Sequence, residues 1–503
     1  MKEKGIPDGL LNFFKGPGGH SLIVKGAAGT GKTTFALQLT EELESVENCY
    51  YMSIRVSDQS LYDQFPWLKD KVDRKRIAPT SLERKHEAED ETKVDRTELK
   101  KLEGRIEMGE EDEHSIYDKI REGEVTETGL ILDLGSDLPE IDMAYDVVEK
   151  SLPDKTLILI DSINALAERY GIHPSKLMNT LQRDLVETSA SDVLYVLESS
   201  GETRLDYLGD GVISFESEEH AGRLLRIMTI EKLRGAEIRQ YKCAFSLDSG
   251  RIKTFGFEKI EIPDKKAQWE PVPDISENWI STGNEQLDNL TGGFKKGTIV
   301  ALEIGGNVDT LYSDLLKTSL ISNFISLGRG VAFVPEKKAS SEIVRDEILP
   351  FVGQEAFENC MRVFESSTTS PLEGSKTVLQ MEGTNVDNEL KWSNIEYHLS
   401  NAKRPILSLM GFDTLEAVYG REVIEEMAGH MSSIRKSKDI LLGIVTSTTS
   451  STALLANLAH THIKIENIDG SVVLYCEKPY TELHALSFDH SKGYPKAVLT
   501  PII

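Results

Sequence analysis

Long apolar runs are missing from this chain. No stretch of its 503 residues approaches the ~20 consecutive apolar positions that a membrane-spanning helix needs. The opening "MKEKGIPDGLL" lacks the apolar core of a secretory leader, so a cytoplasmic location is expected. Cysteine is scarce: Cys49, Cys243, Cys360 and Cys476 stand far apart, with no CxxC and no metal-ligand spacing. That argues against a disulfide framework or a zinc site and reads as reduced thiols. Positive charge is in deficit, with 57 Lys and Arg against 83 Asp and Glu and a net charge of -26. Such a chain repels polyanions on average, so direct nucleic-acid binding is not expected.

What is present is a repeated order of features, in a chain whose length suits two domains of about 200–250 residues. In the first half "SLIVKGAAGTGKTTFALQL" gives strand, glycine loop and helix. "CYYMSI", "TLILIDSINAL" and "VLYVLESS" follow as strands, then "DGVISFE", "RLLRIMTIEKLRG" and "KCAFSLDSGRI". The second half retraces this with "TIVALEIGG", "GVAFVPE", "PILSLMGFDTLEAV", "ILLGIVTS", "THIKIENIDG", "SVVLYCEKPY" and "ALSFDHSKGY". Buried strands alternating with helical stretches predict the α/β class, with mainly parallel sheets, flanking helices and antiparallel edge strands. The proline-bearing "IPDKKAQWEPVPDISEN" is the natural linker, so domains are expected over 1–262 and 278–503, joined by 263–277. Residues 69–128 have no counterpart in the second half. They are dense in both charge signs, which predicts a solvated helical insertion, either a plain exposed arm or a partner-binding one.

"GAAGTGKT" matches G-x-x-x-x-G-K-[ST] between a predicted strand and a predicted helix. Glycines there let successive backbone N–H groups turn toward a phosphate, and the helix N-terminus adds its positive dipole end. Gly26, Ala27, Ala28, Gly29, Thr30, Gly31, Lys32, Thr33 and Thr34 are the expected nucleotide contacts. Lys32 would reach the β- and γ-phosphates, Thr33 would ligate Mg²⁺ and Thr34 would meet the α-phosphate. Asp161 ends the apolar run "TLILI", where its carboxylate would orient a Mg²⁺ water. An aspartate at a strand end also serves as a helix cap, and the loop upstream favours the metal role. ATP and Mg²⁺ are therefore the expected cofactors.

These residues, with "STGNEQLDNLTGGFKKGT" (281–298), "EKLRG" (231–235) and "DGVISFE", resemble the KaiC/RadA-like ATPases of the RecA superfamily. More narrowly, the short lead-in before the loop and "RVSDQSLYDQFPWL" after it resemble the archaeal gas-vesicle regulator group GvpD. The resemblance implies tandem RecA/KaiC-like domains and assigns Lys232 and Arg234 to a motif that reaches the γ-phosphate bound by a neighbouring subunit. Without it, they read as a solvated pair on an edge strand. It implies a homo-oligomer and a regulatory ATP-binding protein whose nucleotide state controls a protein partner, for GvpD a transcription activator. An archaellum-type assembly or motor ATPase similar to FlaH, or a recombinase-type DNA-binding ATPase, are the alternatives. KaiC-like enzymes place paired glutamates after strand two, where this chain has Arg55 and Val56. Arginine stays protonated at neutral pH and is no base. Asp58 and Glu198 are the substitute base candidates, and slow hydrolysis is expected.

The second half keeps the frame and loses the chemistry. In "EIGGNVDTLY" (303–312) Leu311 and Tyr312 replace the lysine and hydroxyl, and Asp309 adds negative charge. Tyr480 stands for the motif arginine, and Asp413 remains without a phosphate site to serve. A degenerate scaffold domain is expected. The hydroxyl-rich "TSTTSSTALL" (446–455) is expected to cap the helix that follows it.

Overall fold

The computed structural model describes residues 5–43, 48–53, 63–68, 77–78, 138–199, 201–256, 260, 265–366 and 376–503. Apart from a two-residue strand at Ile77–Ala78, the charged 69–128 segment lies outside the described residues. So do Arg55, Val56 and Asp58.

The chain is α/β, with two large sheets. The first contains β1 (Ser21–Gly26), β2 (Asn48–Ser53), β3 (Ile77–Ala78), β4 (Thr156–Asp161), β5 (Asp192–Glu198), β6 (Gly211–His220), β7 (Arg223–Leu233), β8 (Lys242–Ser246) and β9 (Lys253–Phe255). Their order is β3-β2-β4-β5-β1-β6-β7-β8-β9, and every pairing from β3 to β6 is parallel. Parallel strands need cover on both faces, and the sequence supplies it: all six residues of β1 are buried, as are the first five of β4. Ile23, Ile158, Ile160, Val193 and Tyr195 share a core with Ile141, Ala144 and Val148 of the helix Pro139–Ser151.

A two-strand ribbon, β10 (Trp279–Ile280) with β11 (Phe294–Lys295), precedes the second sheet. That sheet contains β12 (Thr298–Ile304), β13 (Arg329–Val334), β14 (Met361–Ser366), β15 (Val378–Met381), β16 (Lys403–Gly411), β17 (Ile440–Thr446), β18 (Thr461–Ile468), β19 (Ser471–Lys478), β20 (His484–Asp489) and β21 (Lys496–Pro501). Its order is β15-β14-β13-β16-β17-β12-β18-β19-β20-β21. Pairings are parallel through β18 and antiparallel beyond it. Setting β15 aside, this repeats the first sheet's order strand for strand. The two-residue period divides β12 between two cores: Val300 and Leu302 face one, Ile299 and Ala301 the other.

Two compact units emerge, and the chain passes between them more than once. The first holds Met1–Glu216, Met228–Tyr241 and Ser249–Lys253; the second holds Ser217–Ile227, Lys242–Asp248 and Thr254–Ile503. From Lys265 onward the proline-bearing stretch is packed within the second unit. Trp269 is buried with Phe351 and Tyr494, and Asn323 Oδ1 accepts from Trp269 Nε1 at 3.1 Å and from the Val272 amide at 2.7 Å. Among the described residues no helix is long and apolar enough to cross a membrane.

Candidate nucleotide site

β1 leads through Ala27–Gly31 into helix α1 (Lys32–Glu42), at the carboxyl edge of the sheet. Two glycines are obligatory there. A Cβ on Gly26 would come within 2.5 Å of the Phe215 carbonyl oxygen, and Gly31 turns into the helix at φ 101°. Ala27, Ala28 and Gly29 are exposed, whereas Thr30 is buried and donates to the Ala27 carbonyl at 2.9 Å. Lys32 folds back over the loop, its Nζ 2.9 Å from Gly26 O and 2.6 Å from Ala27 O. The N-cap position of α1 is Gly31, which has no side chain to cap the helix. Thr34 follows on its first turn, half-buried.

Asp161 and Thr33 meet. Thr33 Oγ1 donates to Asp161 Oδ2 at 2.7 Å, and Tyr51 from β2 donates to the same oxygen at 3.1 Å. The helix after Asp161, α2 (Ile163–Tyr170), takes its cap from Ser162, whose hydroxyl accepts from the Ala165 amide. Asp161 is thus not needed as a cap. Tyr51 was not singled out from sequence; its signal was a tyrosine on the strand paired in register with β4. Glu198 ends β5 directly opposite Gly26 and is exposed beside the loop.

Lys232 and Arg234 lie elsewhere. Lys232 Nζ donates to the Gly209 carbonyl at 2.5 Å, and Arg234 pairs with Asp210 at 3.0 Å. Asp210 in turn accepts from the Ser21 hydroxyl at 2.9 Å, at the opposite end of β1 from the loop. Five residue steps along the strand separate those ends, about 17 Å at ~3.3 Å per step. The pair therefore does not reach the loop of its own chain.

A second residue missed by sequence reasoning is Lys25, the charged position inside the apolar β1. It is 1% exposed and bonded to Asp206 at 2.7 Å and Glu231 at 2.8 Å. Burial alone would lower its pKa; the two carboxylates outweigh burial and hold it above the ordinary lysine range. These bonds fix β1, immediately before Gly26, to the 203–210 loop and to β7.

The corresponding position in the second sheet is also a strand-to-helix connection, with different chemistry. β12 runs into helix α3 (Thr310–Ser326), but Asp309 Oδ1 accepts the Leu311 amide at 2.9 Å and caps the helix with the chain's own anion. No residue from Gly305 to Leu311 has positive φ, so the loop does not form the left-handed turns found at Gly29 and Gly31. The Tyr312 ring lies tilted against that of Phe488, their centroids 5.9 Å apart. Asp413, in helix α4 (Phe412–Tyr419), accepts from the Lys337 and Thr414 amides at 3.2 and 2.8 Å. The hydroxyl-rich loop departs from its expected role. Ser451 is already helical at φ -71°, makes no cap, and donates its hydroxyl to Glu416 at 2.8 Å, which also takes the Ser450 and Ser451 amides.

Comparison with known proteins gives two family matches. Residues 10–231 match the family described as "GvpD gas vesicle protein, P-loop domain". Residues 268–390 match "GvpD basic region 2", although in this chain that stretch holds more acidic than basic side chains. Two Halobacterium salinarum proteins align end to end. Protein GvpD2 is 24% identical, over 99% of this chain and 96% of its own length. Protein GvpD1 is 22% identical, over 99% and 97%. The chain is close to the GvpD gas-vesicle regulator group. The P-loop match covers β1, the loop, α1, Asp161 and Glu198, and ends within β7 before Lys232.

The Lys25 bonds generate a test. Replacing Lys25 by Met leaves Asp206 and Glu231 facing each other without their cation. Urea unfolding at pH 7 is expected to show a loss of about 3 kcal/mol, the low end for breaking a buried pair because both acids keep some water. An unchanged midpoint would remove Lys25 from the positioning of the loop.

Proposed function

We propose that this chain is a GvpD-type regulatory protein that binds Mg²⁺-ATP in its first half and uses that state to control a protein partner. One contrast carries the reading: the N-cap of α1 is Gly31, with no side chain to occupy the helix end, whereas that of α3 is Asp309, which caps its own helix. Phosphate would be held by the Gly26–Gly31 amides, Lys32 and Thr34, and Mg²⁺ by Thr33 with Asp161 orienting its water. The bound metal would supply charge neutralisation between phosphate oxygens. The second half acts as a scaffold and docking face, its apolar strands retained for the core. Isothermal titration of the full chain is expected to give one ATP per chain, lost in Lys32→Ala. Two sites, or binding that survives Lys32→Ala, would count against this reading.

Turnover is expected to be slow. Arg55 and Val56 replace the carboxylates of related enzymes, leaving Glu198, exposed beside the loop, and Asp58 as base candidates. A steady-state assay should give below ~1 s⁻¹, the low end for enzymes. Tens of turnovers per second would require another base.

Lys232 and Arg234 lie too far from their own loop to serve it, which supports action on a neighbouring copy in a homo-oligomer of KaiC-like type. Coupling of ~1–3 kcal/mol would change the association constant by roughly 5- to 150-fold on adding ATP, with association tightening ATP binding by the same factor. Lys232→Ala with Arg234→Ala should erase that change. Analytical ultracentrifugation showing no ATP effect at any protein concentration would exclude the trans role.

A further inference from the structure

The β6–β7 hairpin has its base and its tip in different compact units. At the base, Leu22–Lys25 of β1 pair in parallel with Gly211–Ser214 of β6. One residue on, the Phe215 carbonyl lies against Gly26, so closely that no Cβ fits between them. The Phe215 ring is 5.3 Å from that of Phe35 on α1. Phe215 therefore touches both the first residue of the loop and the helix behind it. A shift of loop or helix reaches β6 at that residue.

The tip, Ser217–Ile227, belongs to the second unit and is anchored there by Arg223. This guanidinium is 3% exposed, an uncommon position for arginine. Its Nε donates to the Thr481 carbonyl at 2.6 Å and Nη2 to the Cys476 carbonyl at 2.9 Å. The Tyr475 and Tyr480 rings flank it at 4.4 and 4.1 Å, a desolvated cation between two aromatic faces. Tyr480 also donates its hydroxyl to the Gly222 carbonyl at 2.7 Å, closing over the hairpin turn. His220 Nε2 lies 2.6 Å from Glu466 Oε2, and Leu225 and Ile227 pack with Val473 and Leu483. Cation, hydrogen bonds and apolar contact together fix the tip to β18, β19 and the turn that follows β19.

This arrangement accounts for Tyr480. A second arginine there would place like charge against the buried Arg223, whereas a tyrosine ring stabilises it.

We propose that the β6–β7 hairpin transmits the nucleotide state of the Gly26–Lys32 loop to the Cys476–Leu483 turn, with Arg223 as the anchor at the receiving end. The proposal rests on the nucleotide-binding reading above. A hairpin is suited to this because its paired strands move together rather than one residue at a time. The loop end is gripped through Phe215 and the far end through Arg223.

Hydrogen–deuterium exchange of the full chain, with and without Mg²⁺-ATP, tests it. In the natural protein ATP is expected to slow exchange across residues 26–34 and to change it by ~5-fold or more across 471–483, the low end of ordinary site-to-site coupling. Arg223→Lys keeps the charge but loses the planar fork and the stacking. It should retain ATP affinity and protection of 26–34 and lose the response at 471–483. Tyr480→Leu, at an exposed position, tests the same contact with less demand on folding and should give the same loss. Protection of 26–34 without any response at 471–483 in the natural protein overturns the relay alone. A response that survives both substitutions also overturns it. Absence of an ATP effect anywhere overturns the nucleotide reading and the relay with it.

Discussion

Two side chains from separate elements, Thr33 on α1 and Tyr51 on β2, place their hydroxyls on one oxygen of Asp161 at the end of β4. That shared acceptor ties the first turn of α1 to the ends of β2 and β4. It depends on topology: β4, β5 and β1 are adjacent and parallel, so Asp161, Glu198 and Gly26 all emerge at the same edge. Parallel pairing is what brings these strand ends to one edge. The buried Lys25 ties the end of β1 to Asp206 and Glu231 just before the loop begins.

The second sheet repeats that strand order around different loop chemistry. Its strand order is the same and its strands are as deeply buried, because a parallel sheet cannot leave either face to water. Each position free of the core has been given local structural work. Asp309 satisfies its own helix, Tyr312 lies against Phe488, Asp413 holds backbone amides and Tyr480 covers Arg223. Such contacts are one-body or two-body interactions that need no ligand to complete them.

Sequence reasoning reached the α/β class, the parallel strands and the antiparallel additions because burial on two faces and alternation on one leave different periodicities. The loop from Gly26 to Thr34 was legible because its members are contiguous and each residue type answers to a steric or hydrogen-bonding need. Asp161 was legible at one remove, through the apolar run it ends. The P-loop likeness spans residues 10–231, and the GvpD likeness nearly the whole chain.

The sequence by itself determined the local elements, the order of strands along the chain and the chemistry available at each loop, since these follow from period, turn residues and side-chain type. Only the tertiary structure decided which distant residues share a site. Tyr51 and Asp161 are 110 residues apart, Lys25 and Asp206 181, and Arg223 and Thr481 258. It also decided that Lys232 and Arg234 stand at the far end of β1 from the loop, and that the Ser450–Ser451 amides turn to Glu416. Such contacts are fixed by sheet order and by the burial of whole faces. Those are collective properties of the packed chain, and no short window of sequence carries them.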